Sequence, residues 1–176
     1  MMTVIDGTLG ITTAAATISG ALSAATETFT ATPAVTTAQS MVRLAGQNGH
    51  GSTNTAIARF AAAITNQGSD ITYADSATLG ASFTINTAGV YSMSWSAPSV
   101  AGTWLGITLN SASPASGVTS ATSTELLALT YNTTAGGAPN VSWTGYLPAG
   151  SVLRAHDMGG AISGSPGTQL TIVRVA

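Results

Sequence analysis

The sequence predicts an all-β antiparallel fold, a sandwich or closed barrel, and three observations predict it. Apolar and polar residues alternate with a period of two in segment after segment from Met41 onward. Turn-forming residues separate those segments. No apolar stripe of helical period joins them, so helical crossovers are not expected.

The strands follow in order. Thr55 to Thr65 holds Ala-rich sequence around Arg59 and Phe60, and Ile57 and Ile64 tip it toward strand. In Gly89 to Ser96, Tyr91, Met93 and Trp95 point one way and Ser92, Ser94 and Ser96 the other. Leu105, Ile107 and Leu109 alternate with Gly106 and Thr108, and Leu127, Leu129 and Tyr131 with Ala128 and Thr130. Val141, Trp143, Gly145 and Leu147 alternate with Ser142, Thr144 and Tyr146. Leu170, Ile172 and Arg174 interleave with Thr171, Val173 and Val175. Breaks fall at Gln67-Gly68, Thr87-Ala88-Gly89, Ser113-Pro114, Gly136 to Pro139, Pro148-Ala149-Gly150 and Ser165-Pro166-Gly167. About eight strands of ordinary length are expected.

Residues 1–40 differ in texture. They are rich in Thr and Ala with single aliphatics (Val4, Ile5, Leu9, Ile11, Ile18, Leu22, Val35), and Thr17, Ser19 and Gly20 oppose a stable helix. They read as an extended anchoring arm, ahead of one domain spanning 41–176.

Charged residues make up only 6% of the chain, with no Lys and a net charge of −2, against about 25% in ordinary domains. Four arginines cannot supply the phosphate-neutralising surface that nucleic acid requires. No apolar run approaches the roughly 20 residues needed to span a bilayer, and no basic face suits a membrane surface. The N-terminal Met-Met-Thr-Val-Ile-Asp lacks a basic region ahead of an apolar one, so no secretory leader is expected. With zero Cys, disulfides and thiolate metal sites are excluded. A surface of Thr, Ser, Asn, Gly and Ala has little charge repulsion to keep copies apart, which points to assembly.

Several segments together resemble a known family. Asn54 to Phe60, Asn66 to Tyr73, Ala81 to Asn86 with Ala88 to Tyr91, Gly106 to Asn110, Gly145 to Arg154 and Gln169 to Arg174 look like the strand order of the complement globular-head and tumour-necrosis-factor-like jelly roll. The most specific elements are the Phe83-x-Ile-Asn-x-Ala-Gly-Val-Tyr91 run and the later Leu147-Pro-Ala-Gly150 turn. The phage-borne branch is the most similar. The resemblance covers roughly residues 42–176 and departs at Ser151, where members usually carry an acid. It implies a jelly-roll sandwich of two four- or five-stranded sheets, a homotrimer, and a binding or assembly role without enzymatic activity.

Candidate chemistry is sparse. His156 and Asp157 are adjacent, which on a strand puts them on opposite faces and spoils a Ser/His/Asp triad. No Gly-x-Ser-x-Gly elbow occurs, and both His50 and His156 read as surface histidines. Some relatives bind calcium near the trimer apex, which makes Asp70, Asp75, Asp157 and His156 the metal candidates. No Asp-x-Asp-x-Asp loop or His-x-x-x-His pair supports that, so they are expected as solvated loop residues, with no metal or cofactor. Gly159 to Gly164 reads as a turn, not a phosphate loop, because no Lys follows. The triplets at Asn132 and Asn140 match a glycosylation pattern that chance explains. Trp95 and Trp143 alternate with apolar neighbours and belong to the core. Trp104, at a strand start, is the one candidate for surface recognition.

These readings point to a structural protein of a bacteriophage virion. The expectation is a trimeric capsid decoration or cement protein on the capsid exterior, partnered by the major capsid protein. The alternative is a short head or tail fibre whose knob binds a host receptor or glycan.

Overall fold

The computed structural model describes residues 39–159 and 167–176. The expected arm lies outside them except for Gln39 and Ser40, and so does most of the Gly159 to Gly164 turn. Ten strands and no α-helix occur among the described residues: β1 (Met41–His50), β2 (Ala58–Gln67), β3 (Ile71–Ser76), β4 (Gly80–Ile85), β5 (Gly89–Ser96), β6 (Thr103–Leu109), β7 (Leu126–Asn132), β8 (Asn140–Leu147), β9 (Val152–His156) and β10 (Gln169–Arg174). A single 3-10 turn covers Val118–Ser120.

They build two five-stranded antiparallel sheets, in the orders β2-β1-β10-β5-β8 and β3-β4-β9-β6-β7. This is the jelly-roll sandwich. The count exceeds the expected eight for a local reason. β1 contains Gly46 and Gly49 at positive φ, which blurs its alternation, and β9 is too short to show any. The strand expected over Thr55–Thr65 also shifts: Asn54 closes a turn onto Ile57, and β2 starts at Ala58.

Cross-strand register turns the alternation into layers. In the first sheet Val42, Ile172, Met93 and Trp143 form one row, and Leu44, Leu170, Trp95 and Val141 the next. The second sheet contributes Phe83, Ile85, Leu105, Ile107 and Leu153 to the same core. Each such side chain stabilises the fold by roughly 1.5–3 kcal/mol. Trp95 is fully buried, and its indole N–H crosses to the other sheet to donate to Gly106 O at 3.0 Å, so its one polar atom is satisfied. Trp143 is partly buried against the core. Its ring occupies the place where a Cβ on Gly145 would stand, 2.5 Å from the nearest ring carbon.

Strand β7 departs from the pattern. Its alternation is real, but pairing of Tyr131 with Trp104 and of Leu129 with Gly106 places these residues on the outer side of the second sheet. Tyr131 is 45% and Leu129 37% exposed. Alternation marks two faces; only the neighbouring strand decides which of them is inside.

Candidate functional site

The few charges are unevenly spread. No charged residue occurs from Ser76 to Thr124 or from Leu126 to Leu153, so β5, β6, β7 and β8 are free of charge. Those strands form one side of the sandwich, with β8 and β7 as the final strands of the two sheets and in contact with each other. Charged groups elsewhere are mostly tied up. Arg59 clamps Asp75 through Nη2 (2.8 Å) and Nε (3.3 Å). Asp70 accepts from Ser40 Oγ at 2.8 Å and from Arg174 Nη1 at 3.3 Å.

On the first sheet the outer face of this charge-free side is a lattice of hydroxyls. Ser92, Ser94 and Ser96 stand opposite Thr144, Ser142 and Asn140. Thr144 Oγ1 donates to Ser92 Oγ at 2.9 Å, and Asn140 Nδ2 to Ser94 Oγ at 3.0 Å. Tyr146 projects beyond this face, 66% exposed.

On the second sheet Trp104 has an aromatic neighbour. Its ring packs on Tyr131 with centroids 4.5 Å apart and planes tilted by 42°, within the favourable range for aromatic pairs. Leu129 extends the strip toward Gly106, over which Val118 sits so closely that a Cβ there would lie 2.6 Å from it. The place of Trp104 at a strand start singles it out in the sequence. Tyr131 and Leu129 complete the strip, and nothing short of the β6–β7 register joins them to it.

A second constellation lies where β1 and β9 end. Asp157, fully buried, takes His50 Nε2 at 2.7 Å on Oδ2 and the Gly159 N–H at 2.6 Å on Oδ1. Its backbone N–H donates to Ala56 O, and its carbonyl accepts from Val118 N. His156 is buried too, with Nε2 donating to Ser116 O at 2.7 Å and Nδ1 3.3 Å from Thr108 Oγ1. Burial holds the His156 pKa below the ordinary histidine value, opposed by the Ser116 bond and by Asp157.

His156 and Asp157 are therefore not surface or solvated loop groups. The loop of residues 110–125 folds over the outer face of β6 and β9 and encloses what strand alternation alone would leave exposed. Their side chains do point apart, each with its own partners. The four metal candidates do not converge: Asp70 and Asp75 join separate arginines, and no group of three metal-ligating side chains occurs among the described residues. Asn132 is buried, its Nδ2 donating to Ser99 O, Ser99 Oγ and Val100 O. That leaves no room for a glycan there. Ser151, the departure from the family pattern, is buried with its hydroxyl unpartnered among the described residues.

No protein-family model and no curated protein match the sequence. Similar folds occur among solved structures. A crystal structure of murine APRIL at pH 5.0 superposes with a TM-score of 0.50 at 15% identity, covering 78% of this chain and 99% of that one. GITRL from pika gives a TM-score of 0.48 at 10% identity over 78% and 96%, and GITRL from bushbaby 0.47 at 13% over 78% and 95%. At such identities the APRIL likeness concerns the fold alone, a tumour-necrosis-factor-like jelly roll.

Proposed function

We propose that this chain is a non-enzymatic structural protein of a bacteriophage virion, a homotrimeric decoration or cement protein bound to the major capsid protein on the capsid exterior. The observation that carries the reading is the charge-free side of the sandwich, where the Trp104–Tyr131–Leu129 strip and the exposed Tyr146 flank the edge strands β7 and β8. An uncharged surface with exposed aromatics favours burial against like surfaces, because no ion must be desolvated to close the contact. Threefold closure of a jelly roll would cover such a side in every copy. The phage-borne resemblance of the sequence supplies the setting, and the arm of residues 1–40 supplies the anchor, able to add main-chain bonds at a partner's sheet edge.

Removing residues 1–40 and measuring occupancy on purified capsids tests the anchor, and occupancy should collapse. Imaging of virions carrying a labelled copy tests the location. Label at shell threefold positions supports the proposal, and label confined to a tail tip overturns it. The pair of half-buried Trp104 and exposed Tyr131 favours a second reading, a fibre knob contacting a host glycan, for which ring faces are the usual platform. Binding of the isolated protein to host cells, abolished in Trp104→Ala, would select it.

A further inference from the structure

The four outermost strands are not equally protected. β7 and β8 touch each other across the sandwich. β3 carries Asp75, held by Arg59 at the start of β2. The rest of β2 is different. Among the described residues it ends the first sheet and pairs only with β1, and every residue from Ala61 to Gln67 except Thr65 is exposed. Ala61-Ala-Ala-Ile-Thr-Asn-Gln67 contains neither a charge nor a proline, the usual guards of a free edge. Among the described residues, the backbone of Ala61–Asn66 makes no hydrogen bonds besides its ladder to β1. The ladder shifts register between Arg43 and Leu44, leaving Ile64 as the extra residue, 54% exposed. A bulge of this kind twists an edge but leaves its unpaired groups in place.

We infer that the β2 edge is an interface between two copies of this chain, joined antiparallel across a twofold axis within Ala61–Thr65 into one continuous sheet. A second copy fits because the edge is complementary to itself. A twofold about its centre opposes Ala, Ile and Thr with one another, so no like charges meet. Arg59, the one cation on β2, is already neutralised by Asp75, and the exposed Arg43 opposite Thr65 lies on β1, one strand back from the edge. Ala62, paired on β1 with the equally small Ala45, and its neighbours Ala61 and Ala63 put little side-chain bulk in the way of an approaching backbone. The pairing stands independently of the virion proposal. It adds a twofold contact to whatever assembly the charge-free side forms.

The test uses the full chain. Native mass measurement over rising concentration should show the wild type reaching twice the mass of the Ile64→Lys protein. Amides in Ala61–Gln67 should exchange roughly tenfold more slowly at the concentrated end. Because the chain has no Cys, Ala63→Cys places a lone thiol at or beside the axis. Antiparallel Cα atoms lie about 4.5–5.5 Å apart, within the ~4.4–6.8 Å reach of a disulfide. Mild oxidation should link this variant into dimers at least severalfold faster than Ser113→Cys in the loop of residues 110–125, where Ser113 is exposed. Equal masses for wild type and Ile64→Lys, with equal oxidation rates for the two cysteine variants, would overturn the inference. So would protection of the β2 amides that is independent of concentration, because a different strand would then occupy the edge.

Discussion

Asp157, buried just past the end of β9, holds His50 at the end of β1 through a 2.7 Å contact between Oδ2 and the imidazole Nε2. The same carboxylate takes the Gly159 N–H, while its backbone bonds to Ala56 and Val118. One residue, through its side chain and its backbone, thus fastens these segments to the end of the sandwich. Asp157→Ala should cost about 3 kcal/mol, since it strands buried donors as well as removing a charge. His50→Ala should cost less, because that ring is partly exposed. Urea midpoints for both variants and the double variant measure the coupling, and additivity would show that the pair acts independently.

His156 makes stability depend on pH. Its folded-state pKa is depressed, chiefly by burial, so the unfolded chain takes up a proton first as pH falls. Stability contributed by the neutral ring is complete above the unfolded value of about 6.5. It declines below that and levels off once pH passes the folded value. Asp157 and the Ser116 bond oppose the depression, while Arg154 adds to it. His156→Gln should flatten the slope of urea midpoint against pH below 6.5. An unchanged slope would show that His156 is not its source.

Gly145 has no substitute that leaves Trp143 in place. A methyl there would stand 2.5 Å from the indole, so Gly145→Ala must displace the ring, at a cost of about 1–3 kcal/mol. The change should appear as a red-shifted tryptophan emission together with a lower melting temperature. Loss of stability without a spectral shift would mean that the backbone moved instead.

Asn132→Ala should cost about 2–4 kcal/mol, because three acceptors at Ser99 and Val100 lose their donor in a buried corner. Expression in a glycosylating host should leave Asn132 unmodified in the folded protein. A glycan found there would require this corner to open.

Trp104→Ala combined with Tyr131→Ala removes the aromatic pair of half-buried Trp104 and exposed Tyr131. If this strip lies between copies, the assembly should dissociate at least tenfold more readily while the single copy keeps its melting temperature within a few degrees. The comparison needs analytical ultracentrifugation beside calorimetry. Intact assembly with lost cell binding would favour the fibre knob.

Much of the fold could be read from the chain. Trp95, Met93, Tyr91, Leu105 and Ile107 lie inside as their alternation required, since a period of two admits only two faces and burial favours the apolar one. The same rule failed at Leu129 and Tyr131, where both faces of β7 carry apolar groups and nothing local ranks them. Trp104 could be singled out by its place at a strand start, but not its contact with Tyr131, which lies 27 positions away along the chain.

The sequence by itself determined a sparsely charged all-β chain without cysteine, because composition and short-range periodicity are local properties. Only the tertiary structure decided which side of the sandwich is free of charge, which edge strand is unguarded, and that His156 and Asp157 are enclosed. Each of these depends on strand register and on where the loop of residues 110–125 comes to rest, and both are set by contacts between residues far apart in the chain.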